Sequence, residues 1–499
     1  MTYIKNINYT VSKKVKQYTI KLPCKFNKLL RKINSTALGV IFVVTKNNII
    51  FGSISDGDIR RYLLNKNLDI IDYKSNLIKK NPVTASINED KKNILKLLDP
   101  TLNKVRINCL PLINSQKKIV DFASIYDLGR IPLLSPQISL EEKNNVMNCL
   151  NTGWISSVGN YVEKFEKEFT KYLGGGYALS VTNGTTALEL AIRSLGIGKG
   201  DEILLPNFTF AATINAVINS KATPKLIDIN RKTWTIDLDQ IKKNITKKTK
   251  AIMPVHVYGQ SAHSDEINKI ANKYNILVIE DCAEALGGIY KNKLIGLNGD
   301  CSTFSFYPNK IITTGEGGMV VFNNKKIYEK AKKLRNQGRS TTKVFWHDYA
   351  GYNFRMTNIQ AAIGLAQLKR INNFMKLRTQ IFKIYDNFFK KHKEIELLPK
   401  NKWSKNSLWL YTILIKSLNE KKRDKLIKSL SSLGIETRPG FYPLNTMKPY
   451  KKFSTGIYPV TNRISYISLS LPSTPTLKKS EIYYIYRNVI LEKNKLEKL

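Results

Sequence analysis

The sequence predicts an α/β protein with a mostly parallel central sheet, preceded by a repeated unit and followed by a smaller α+β lobe. Three observations predict this architecture. The chain has 499 residues, enough for two or three domains. Two similar stretches follow one another before residue 128, and beyond residue 131 apolar strands alternate with helical patterns. We therefore expect domains at residues 1–128, 131–373 and 374–499.

The composition is that of a globular chain with an excess of lysine. Apolar residues make up 42% and charged residues 24%, which excludes a disordered chain. Lys and Arg number 81 against 38 Asp and Glu, so the formal net charge is +43. The lysines are scattered in pairs, such as Lys242 and Lys243, which favours a lysine-rich surface over a nucleic-acid groove. Such a surface would attract small anions, including nucleotide-sugars.

Three features favour a cytoplasmic chain without a membrane partner. The longest apolar run, residues 37–44, is far shorter than the roughly 20 residues of a membrane helix. Residues 1–14 mix Lys and Asn and lack the apolar core of a signal peptide. The five Cys, at positions 24, 109, 149, 282 and 301, have no paired spacing. This pattern disfavours disulfides and a zinc cluster, so we expect no metal site.

The first region contains an internal repeat. Its first half ends in an apolar strand at 40–44 and a helical stretch at 49–61, and its second half in a strand at 109–113 and a stretch at 119–128. Self-similarity of this kind predicts two copies of one supersecondary unit.

The segments GSISDGDIRR (52–61) and, more weakly, VDFASIYD (120–127) resemble the tandem CBS pair, a regulatory module that often binds adenosine nucleotides between its halves. The resemblance implies a ribose near two Ser/Asp pairs, Ser55/Asp58 and Ser124/Asp127. The second copy departs from the pattern at Asp121, where glycine is preferred. A domain that only packs and dimerises is the alternative.

Strands and helices alternate in the second region. Pro132 and Pro136 break regular structure between the two regions. Predicted strands are 178–181, 203–205, 226–229, 251–257 and 276–279, and predicted helices are 185–195, 211–219 and 264–273. Continuous apolar strands separated by helices predict a parallel sheet covered on both faces. Longer helices after residue 374 and one apolar strand at 408–415 predict the smaller lobe.

Four polar segments fall at strand ends, where open α/β sheets bind ligands. The first, 183–188, places Gly184 and Thr185 between a strand and a helix. Glycine lets the backbone approach a ligand closely, and the amides of a helix start can hold a phosphate. A threonine helix cap without a ligand has the same pattern, so this segment alone leaves both interpretations open.

The second and third segments contain the candidate reacting groups. Asp281 directly follows an apolar strand, where a carboxylate is costly to bury without a partner such as a cationic ring nitrogen. The alternative is an aspartate that caps the next helix. Lys310 leaves a second apolar strand before the glycine-rich turn 313–318, and a lysine in that setting can form a Schiff base with a carbonyl. The fourth segment, 351–358, enters an amphipathic helix at 359–368.

Together these segments resemble the DegT/StrS-type sugar aminotransferases, which carry pyridoxal phosphate (PLP) on fold type I, the aspartate-aminotransferase fold. The likeness runs from about residue 131 to the end, and the segments 154–157, 254–259 and 438–443 add to it. The resemblance implies that Lys310 holds the cofactor covalently and that Asp281 pairs with its pyridine nitrogen.

The resemblance also implies the remaining cofactor contacts. Gly184, Thr185 and Ser305 would hold the phosphate, and Phe210 would stack on the cofactor ring. Asn353 would reach the phosphate bound by the neighbouring subunit, which implies a homodimer with shared active sites.

Glu284 points to one branch of the family. It stands where many relatives have Gln or His beside the cofactor hydroxyl, and with 345–347 and 351–367 it resembles the branch that forms GDP-perosamine. The resemblance implies transfer of an amino group from glutamate to a GDP-linked 4-keto-6-deoxy sugar. His256, His347 and Tyr442 are candidate substrate contacts.

Three rival functions stay open. UDP- and dTDP-linked ketosugars are alternative substrates for the same fold. A sugar dehydratase is a rival reaction, although relatives of that kind typically lack the lysine at 310. A nucleotide-sensing regulator with an inactive enzyme body is the rival from another class, and it would require a broken cofactor site.

Overall fold

The computed structural model describes residues 15, 17–36, 39–63, 70–72, 75–89, 91–98, 107, 109–124, 131–340 and 342–497. The chain divides near residue 131 into two compact units. The first unit extends to Ile131 and includes Leu430–Ile435, and the second comprises Pro132–Ser429 and Glu436–Leu499. The repeat lies in the first unit and the candidate reacting groups lie in the second.

The described part of the first unit is a set of short strands with three helices. The helices are α1 (Phe26–Thr36), α2 (Asp56–Leu63) and α3 (Lys91–Leu98). The strands are β1 (Thr19–Lys21), β2 (Cys24–Lys25), β3 (Val40–Val44), β4 (Ile50–Ser55), β5 (Ile70–Ile71), β6 (Lys79–Lys80), β7 (Ala85–Ser86), β8 (Cys109–Ile113) and β9 (Ile119–Ser124). They form the sheets β1-β3-β4-β6, β7-β8-β9 and β2-β5.

Two hairpins of the first unit share one geometry. β3 and β4 pair antiparallel with a register shift after Val43, and β8 and β9 pair antiparallel with a shift after Leu112. A parallel strand flanks each hairpin, β1 beside β3 and β7 beside β8. Both turns contain a residue with positive φ, Asn48 at 61° and Lys117 at 56°. The sequence repeat therefore corresponds to two similarly built half-units.

The two half-units differ where β4 meets β6. A Cβ on Gly52 would lie 2.4 Å from Ile78 Cγ2 and 2.8 Å from the Lys79 carbonyl oxygen, so only glycine fits beside this strand. The same register position in the second half is Asp121, whose carboxylate accepts from the Phe122 N–H at 2.8 Å. Among the described residues, no fourth strand pairs with β9.

A seven-stranded sheet forms the centre of the second unit. Its strands are β10 (Tyr177–Val181), β11 (Glu202–Pro206), β12 (Thr223–Ile227), β13 (Thr249–Ile252), β14 (Leu277–Asp281), β17 (Cys301–Ser305) and β18 (Gly318–Phe322), with β15 (Ile289–Tyr290) and β16 (Lys293–Leu294) outside it. The order is β10-β18-β17-β14-β13-β11-β12. β18 runs antiparallel to both neighbours and the other pairs are parallel, so the sheet is mixed, with one reversed strand.

Helices cover this sheet and continue into the last part of the chain. They are α4 (Leu140–Thr152), α5 (Asn160–Leu173), α6 (Gly184–Ser194), α7 (Ala211–Asn219), α8 (Leu238–Asn244), α9 (Ser264–Tyr274), α10 (Lys325–Arg335), α11 (Asn358–Lys369), α12 (Ile371–Phe389), α13 (Glu420–Ser432), α14 (Pro459–Ile467) and α15 (Lys479–Glu497). In the parts of the chain that the structure describes, none of the helices has the length and apolar character needed to span a membrane.

The last part of the chain contains a separate antiparallel sheet. Its strands are β19 (Ile395–Glu396), β21 (Tyr411–Ile415), β22 (Arg438–Pro439) and β23 (Ser468–Leu471), while β20 (Ser404–Lys405) pairs with β15. The order is β19-β21-β23-β22. The strand expected at 408–415 thus begins at Tyr411, and α12 runs through the expected domain boundary at 373/374.

The central sheet is buried on both faces. In β11, Ile203 and Leu205 belong to one apolar cluster and Leu204 to another. Because side chains alternate across a strand, both faces need an apolar cover, which explains the continuous apolar strands in the sequence. The carboxyl ends of the parallel strands β11, β14 and β17 share one edge, and the candidate site residues lie along this edge.

Candidate active site

Asp281 ends strand β14 and is almost completely buried, with 4% of its surface exposed. Its carboxylate accepts hydrogen bonds from the Thr213 hydroxyl at 2.9 Å and from the Ala283 N–H at 3.1 Å. Burial raises the pKa of Asp281, and these two donors and the nearby charge of Lys310 offset only part of that shift. The carboxylate therefore sits among neutral donors, with one lysine close enough to affect its charge.

Lys310 follows strand β17, which pairs with β14 so that Asp281 lies opposite Thr303. The Lys310 N–H donates to the Tyr307 carbonyl at 2.9 Å and closes a turn after the strand. Burial lowers the pKa of the Lys310 amine, while the negative charges of Glu284 and Asp281 oppose this shift. The structure brings the predicted lysine and the predicted aspartate together at one edge of the sheet.

Glu284 is the third ionisable group of this cluster, and 4% of its surface is exposed. Its Oε2 accepts from the Tyr258 N–H at 2.7 Å. Burial raises the pKa of Glu284 to about 7, against the opposing effects of the Lys310 charge and of the Tyr258 amide. A carboxyl group with this pKa gains or loses its proton near neutral pH.

The start of helix α6 faces the end of β17. A Cβ on Gly184 would lie 2.8 Å from the Ser305 Cβ and 3.1 Å from its Oγ, so only glycine allows this approach. Asn183 caps the helix: its side chain accepts from the Thr186 N–H at 2.9 Å, and its own N–H donates to the Thr186 hydroxyl at 3.2 Å. Thr185 lies half-buried in the first turn. A helix start flanked by a serine is suited to bind a phosphate.

Phe210 precedes helix α7 and presents a flat ring at the same edge of the sheet. It is 61% exposed, and its ring centre lies 6.3 Å from that of Phe441. An exposed aromatic face at this edge of the sheet is compatible with the predicted stacking on a planar cofactor.

Sequence reasoning missed two neighbours of this cluster. Thr213 donates to Asp281, and Trp409 lies against Lys310, with the Lys310 Nζ 4.2 Å from the ring centre. A threonine inside an apolar helix carries little signal, because its hydroxyl can bond to its own helix. The tryptophan did carry a signal, because a buried indole N–H needs an acceptor, but the sequence does not identify that acceptor.

His256, a predicted substrate contact, is fully buried and has partners on both ring nitrogens. Its Nδ1 accepts from the Ala262 N–H at 3.0 Å, so its Nε2 carries the proton and donates to Glu280 at 3.1 Å. Glu280 and Cys282 lie close enough to His256 to form a potential metal-ligand group. The hydrogen bonds instead join His256 and Glu280 in a closed structural pair, so this geometry does not support a substrate contact.

The other two predicted substrate contacts also have hydrogen-bond partners within the chain. His347 is exposed, and its Nδ1 donates to the Gln337 carbonyl at 2.8 Å. The Tyr442 hydroxyl accepts from Arg423 at 3.3 Å. Proximity in the sequence to family motifs suggested both residues, whereas their side-chain partners depend on the tertiary structure.

Asn353 is exposed and forms an antiparallel bridge with Asn336, and its predicted contact with a neighbouring subunit stays a prediction.

The first unit brings one of the two predicted Ser/Asp pairs together. The Ser55 hydroxyl donates to Asp58 at 2.5 Å, and Asp58 also forms ion pairs with Arg61 at 2.6 Å and Lys79 at 3.0 Å. In the second half, Ser124 ends β9, whereas the predicted Asp127 lies outside the described residues.

The chain is similar to known sugar aminotransferases in sequence. The DegT/DnrJ/EryC1/StrS aminotransferase family matches residues 136–490. GDP-perosamine synthase of Escherichia coli O157:H7 is 42% identical over 363 residues, which are 72% of this chain and 97% of that protein. GDP-perosamine synthase of Caulobacter vibrioides is 41% identical over 357 residues, 71% of this chain and 96% of that protein.

Solved structures give the same result. The Streptococcus pneumoniae protein Spr1654 in its PLP form matches with a TM-score of 0.70 at 27% identity and covers 73% of this chain and 99% of its own. Helicobacter pylori PseC, an aminotransferase of pseudoaminic acid biosynthesis, matches with a TM-score of 0.69 at 30% identity, over 73% of this chain and 99% of its own. Because the family match spans most of the chain, the chain belongs to the DegT/DnrJ/EryC1/StrS family and is a sugar aminotransferase that uses pyridoxal phosphate.

Proposed function

We propose that this enzyme transfers the amino group of glutamate to the C4 ketone of GDP-4-keto-6-deoxymannose and so forms GDP-perosamine. The observation that carries the reaction is the single cluster formed by Lys310, Asp281 and Glu284. The substrate is inferred from the 42% identity to a relative named GDP-perosamine synthase, which this chain covers over 97% of its length.

The residues at the sheet edge fit the cofactor. The close approach of Gly184 to Ser305 and the free amides at the start of α6 suit the phosphate. Phe210 would cover one face of the ring, Asp281 would pair with the pyridine nitrogen, and Glu284 would lie beside the ring hydroxyl. Bound pyridoxal phosphate supplies an electron sink for the C–H bond that breaks next to nitrogen.

Lys310 would move the proton in both half-reactions. As a free amine it takes the proton from the α-carbon of glutamate, and later it delivers a proton to C4 of the sugar. Burial favours this role, because it lowers the pKa of the Lys310 amine and so increases the unprotonated fraction near neutral pH. The face from which Lys310 approaches C4 would set the configuration of the new amine.

Asp281 would act by charge. Its carboxylate is held by Thr213 and Ala283, so it cannot turn away from the sheet edge. A fixed negative charge favours a protonated, cationic ring nitrogen beside it, and a buried ion pair of this kind is much stronger than the same pair in water.

The proposed enzyme is a homodimer with shared sites. Exposed apolar side chains on and after α4 suit a subunit interface: Leu140, Met147, Leu150, Trp154 and Ile155.

Asn353 would contribute to the site of the neighbouring subunit. Mixing inactive Lys310→Ala with inactive Asn353→Ala should therefore restore activity, to about a quarter of wild type, because half of the random dimers hold one intact site. No recovery after demonstrated subunit exchange would contradict sharing.

A substrate panel tests the reaction. Purified enzyme, PLP and glutamate would be mixed with 4-keto-6-deoxy sugars linked to GDP, UDP and dTDP, and the products identified by mass and NMR. We expect amination at C4 with the highest kcat/KM for the GDP sugar. A preference for UDP or dTDP would refute the substrate, loss of a hydroxyl without gain of nitrogen would indicate a dehydratase, and nucleotide binding without any product would favour the regulator.

For the first unit we propose a CBS-pair-like regulatory role, with an adenosine nucleotide near Ser55 and Asp58. Arg61 and Lys79, which flank Asp58, have side chains 67% and 65% exposed, and they could reach a phosphate. Calorimetry with AMP and ATP on the full chain should detect binding, and Asp58→Asn should weaken it. The absence of binding by either nucleotide would refute this role.

A further inference from the structure

One aromatic side chain beside Lys310 has no part in the proposed chemistry. The Lys310 Nζ lies 4.2 Å from the ring centre of Trp409, well inside the ~6 Å range of a cation–π contact. Trp409 is buried, with 4% of its surface exposed. The ring is therefore largely shielded from solvent.

The same side chain also holds the backbone next to the lysine. The Trp409 indole N–H donates to the Asn309 carbonyl at 2.6 Å. The indole N–H of Trp409 thus fixes the peptide group that precedes Lys310, and the face of the same ring contacts the Lys310 amine.

Neighbouring side chains hold Trp409 in a fixed position. Its ring stacks on Tyr258, with centres 6.0 Å apart and an angle of 18°, and Tyr258 stacks on Phe441 at 5.3 Å and 10°. Arg378, which is buried, donates to the Trp409 carbonyl at 2.8 Å. The N–H of Tyr258 also binds Glu284, so this aromatic stack positions two of the three groups in the ionisable cluster.

We propose that Trp409 is a positioning residue that holds the released amine of Lys310 on its indole face whenever the lysine is not linked to the cofactor. The inference rests on the proposed function, in which Lys310 is the reacting amine. A free lysine side chain has many rotamers, and ordering it costs entropy at each proton transfer. The ring would restrict the amine to one position, and its π face would favour the ammonium form between the two transfers.

Capture of PLP by the cofactor-free protein measures the free amine directly. The unprotonated amine is the nucleophile, so the pH dependence of the capture rate, followed by visible absorbance, reports its protonation. Trp409→Leu removes the π face, so the profile should move to lower pH by about half a unit to one unit. Trp409→Phe keeps a weaker π face and should shift it less in the same direction. Trp403→Phe is the matched control, because Trp403 contacts the His263 ring instead, and its profile should equal wild type.

The positioning role has a second readout in the loaded enzyme. Trp409→Leu should lower the rate constant of the glutamate half-reaction on the order of tenfold, with a smaller change in the apparent Kd for glutamate. Because the C–H step would then limit the rate more strongly, the isotope effect with α-deuterated glutamate should increase. A merely structural tryptophan would not change the isotope effect.

The outcomes separate this inference from the proposed function. A capture profile for Trp409→Leu that superimposes on wild type would overturn the inference. If circular dichroism shows that Trp409→Leu does not fold, the shift in Trp409→Phe decides, and its absence overturns the inference. Covalent capture of PLP by Lys310→Ala would instead refute the proposed function, since another amine would then be the reacting group.

Discussion

Asp58 in the first unit and Asp281 in the second are both buried aspartates close to the end of an apolar strand, and the two carboxylates have different surroundings. Asp58 in the first unit is 8% exposed and Asp281 in the second is 4% exposed. Asp58 forms ion pairs with Arg61 and Lys79 and accepts from Ser55. Burial alone would raise its pKa, but these partners outweigh burial and lower the pKa of Asp58 to about 2.

At Asp281 the effect of burial on the pKa is larger than the opposing effect of the neighbouring groups. Its hydrogen-bond donors are a hydroxyl and a backbone amide, and burial raises its pKa despite the charge of Lys310. Burial acts on both carboxylates in the same direction, and at Asp58 the hydrogen bonds from Ser55, together with Lys79 and Arg61, reverse its effect on the pKa. The charge of Asp58 is paired with cations of the chain itself, whereas the hydrogen-bond donors of Asp281 are neutral, so a cationic ligand could pair with its carboxylate.

Removing the lysine beside Asp281 should have the largest effect. Lys310→Ala should abolish transamination and the visible absorbance of bound PLP, because the amine that links and transfers the proton is lost. Absorbance spectra and product assays would measure this. Lys326→Ala, an exposed lysine on α10, is the control and should behave like wild type. An undiminished rate in Lys310→Ala would defeat the assignment.

Neutralising Asp281 should lower the activity of the enzyme without lowering the stability of its fold. Asp281→Asn should lower kcat on the order of 10²-fold or more, because the charge next to the ring nitrogen is lost while the shape is kept. The cofactor-free protein should not lose stability, since a buried charge is removed. Urea unfolding followed by tryptophan fluorescence tests this, because all five Trp lie in the second unit. Full activity would show that Asp281 does not face the ring nitrogen.

Glu284 should make the stability of the second unit depend on pH. Its pKa rises from the ordinary 4.5 to about 7 on folding, so the folded state binds more protons between these values. The free energy of unfolding should therefore fall as the pH rises from 4.5 to 7. In Glu284→Gln this contribution disappears, so the variant should be more stable than wild type at pH 8, on the order of 2 kcal/mol, and similar at pH 4.5. Parallel stability curves for the two proteins would contradict this assignment.

Neutralising Asp58 should give the smallest effect, and it should lower stability, whereas Glu284→Gln raises it. Asp58→Asn should destabilise the first unit at pH 7 by about 1–2 kcal/mol, because a carboxylate with a lowered pKa stabilises the fold above its ordinary pKa of 3.8. The difference should shrink as the pH falls towards 2. Far-UV circular dichroism should detect it, while tryptophan fluorescence of the second unit stays unchanged. If the loss of stability in Asp58→Asn is as large at pH 3 as at pH 7, it results from altered packing and not from the lost charge.

Many features of the second unit could be predicted because each depends on residues that are close together in the sequence. The apolar strands, the helix start at Gly184 and the lysine after β17 lie within short segments of sequence. The seven-stranded sheet also contains β18, which was not predicted from the sequence and which runs antiparallel to both neighbours, since strand direction depends on the connection through space and not on the composition of the strand. In the first unit the repeat could be identified from its two apolar strands at 40–44 and 109–113, but the stretches expected to be helical after them begin as the strands β4 and β9, and the Arg61 and Lys79 partners of Asp58 could not be predicted.

The predicted substrate contacts show most clearly what the sequence does not reveal, namely which side chains a residue contacts after folding. His256, His347 and Tyr442 lie near family motifs in the sequence, yet their side chains bind Glu280, Gln337 and Arg423. Trp409 lies about 100 positions from Lys310 in the chain and has no motif of its own, yet its ring lies against the amine.

The sequence alone predicted the alternation of strands and helices and singled out Lys310 and Asp281 as candidate reacting groups, because these follow from hydrophobic patterning and from short segments that carry their own chemistry. Only the tertiary structure decided which charges and rings surround those groups. The physical reason is that the pKa of a buried group depends on desolvation and on neighbours within a few ångströms, and folding brings those neighbours from distant parts of the chain.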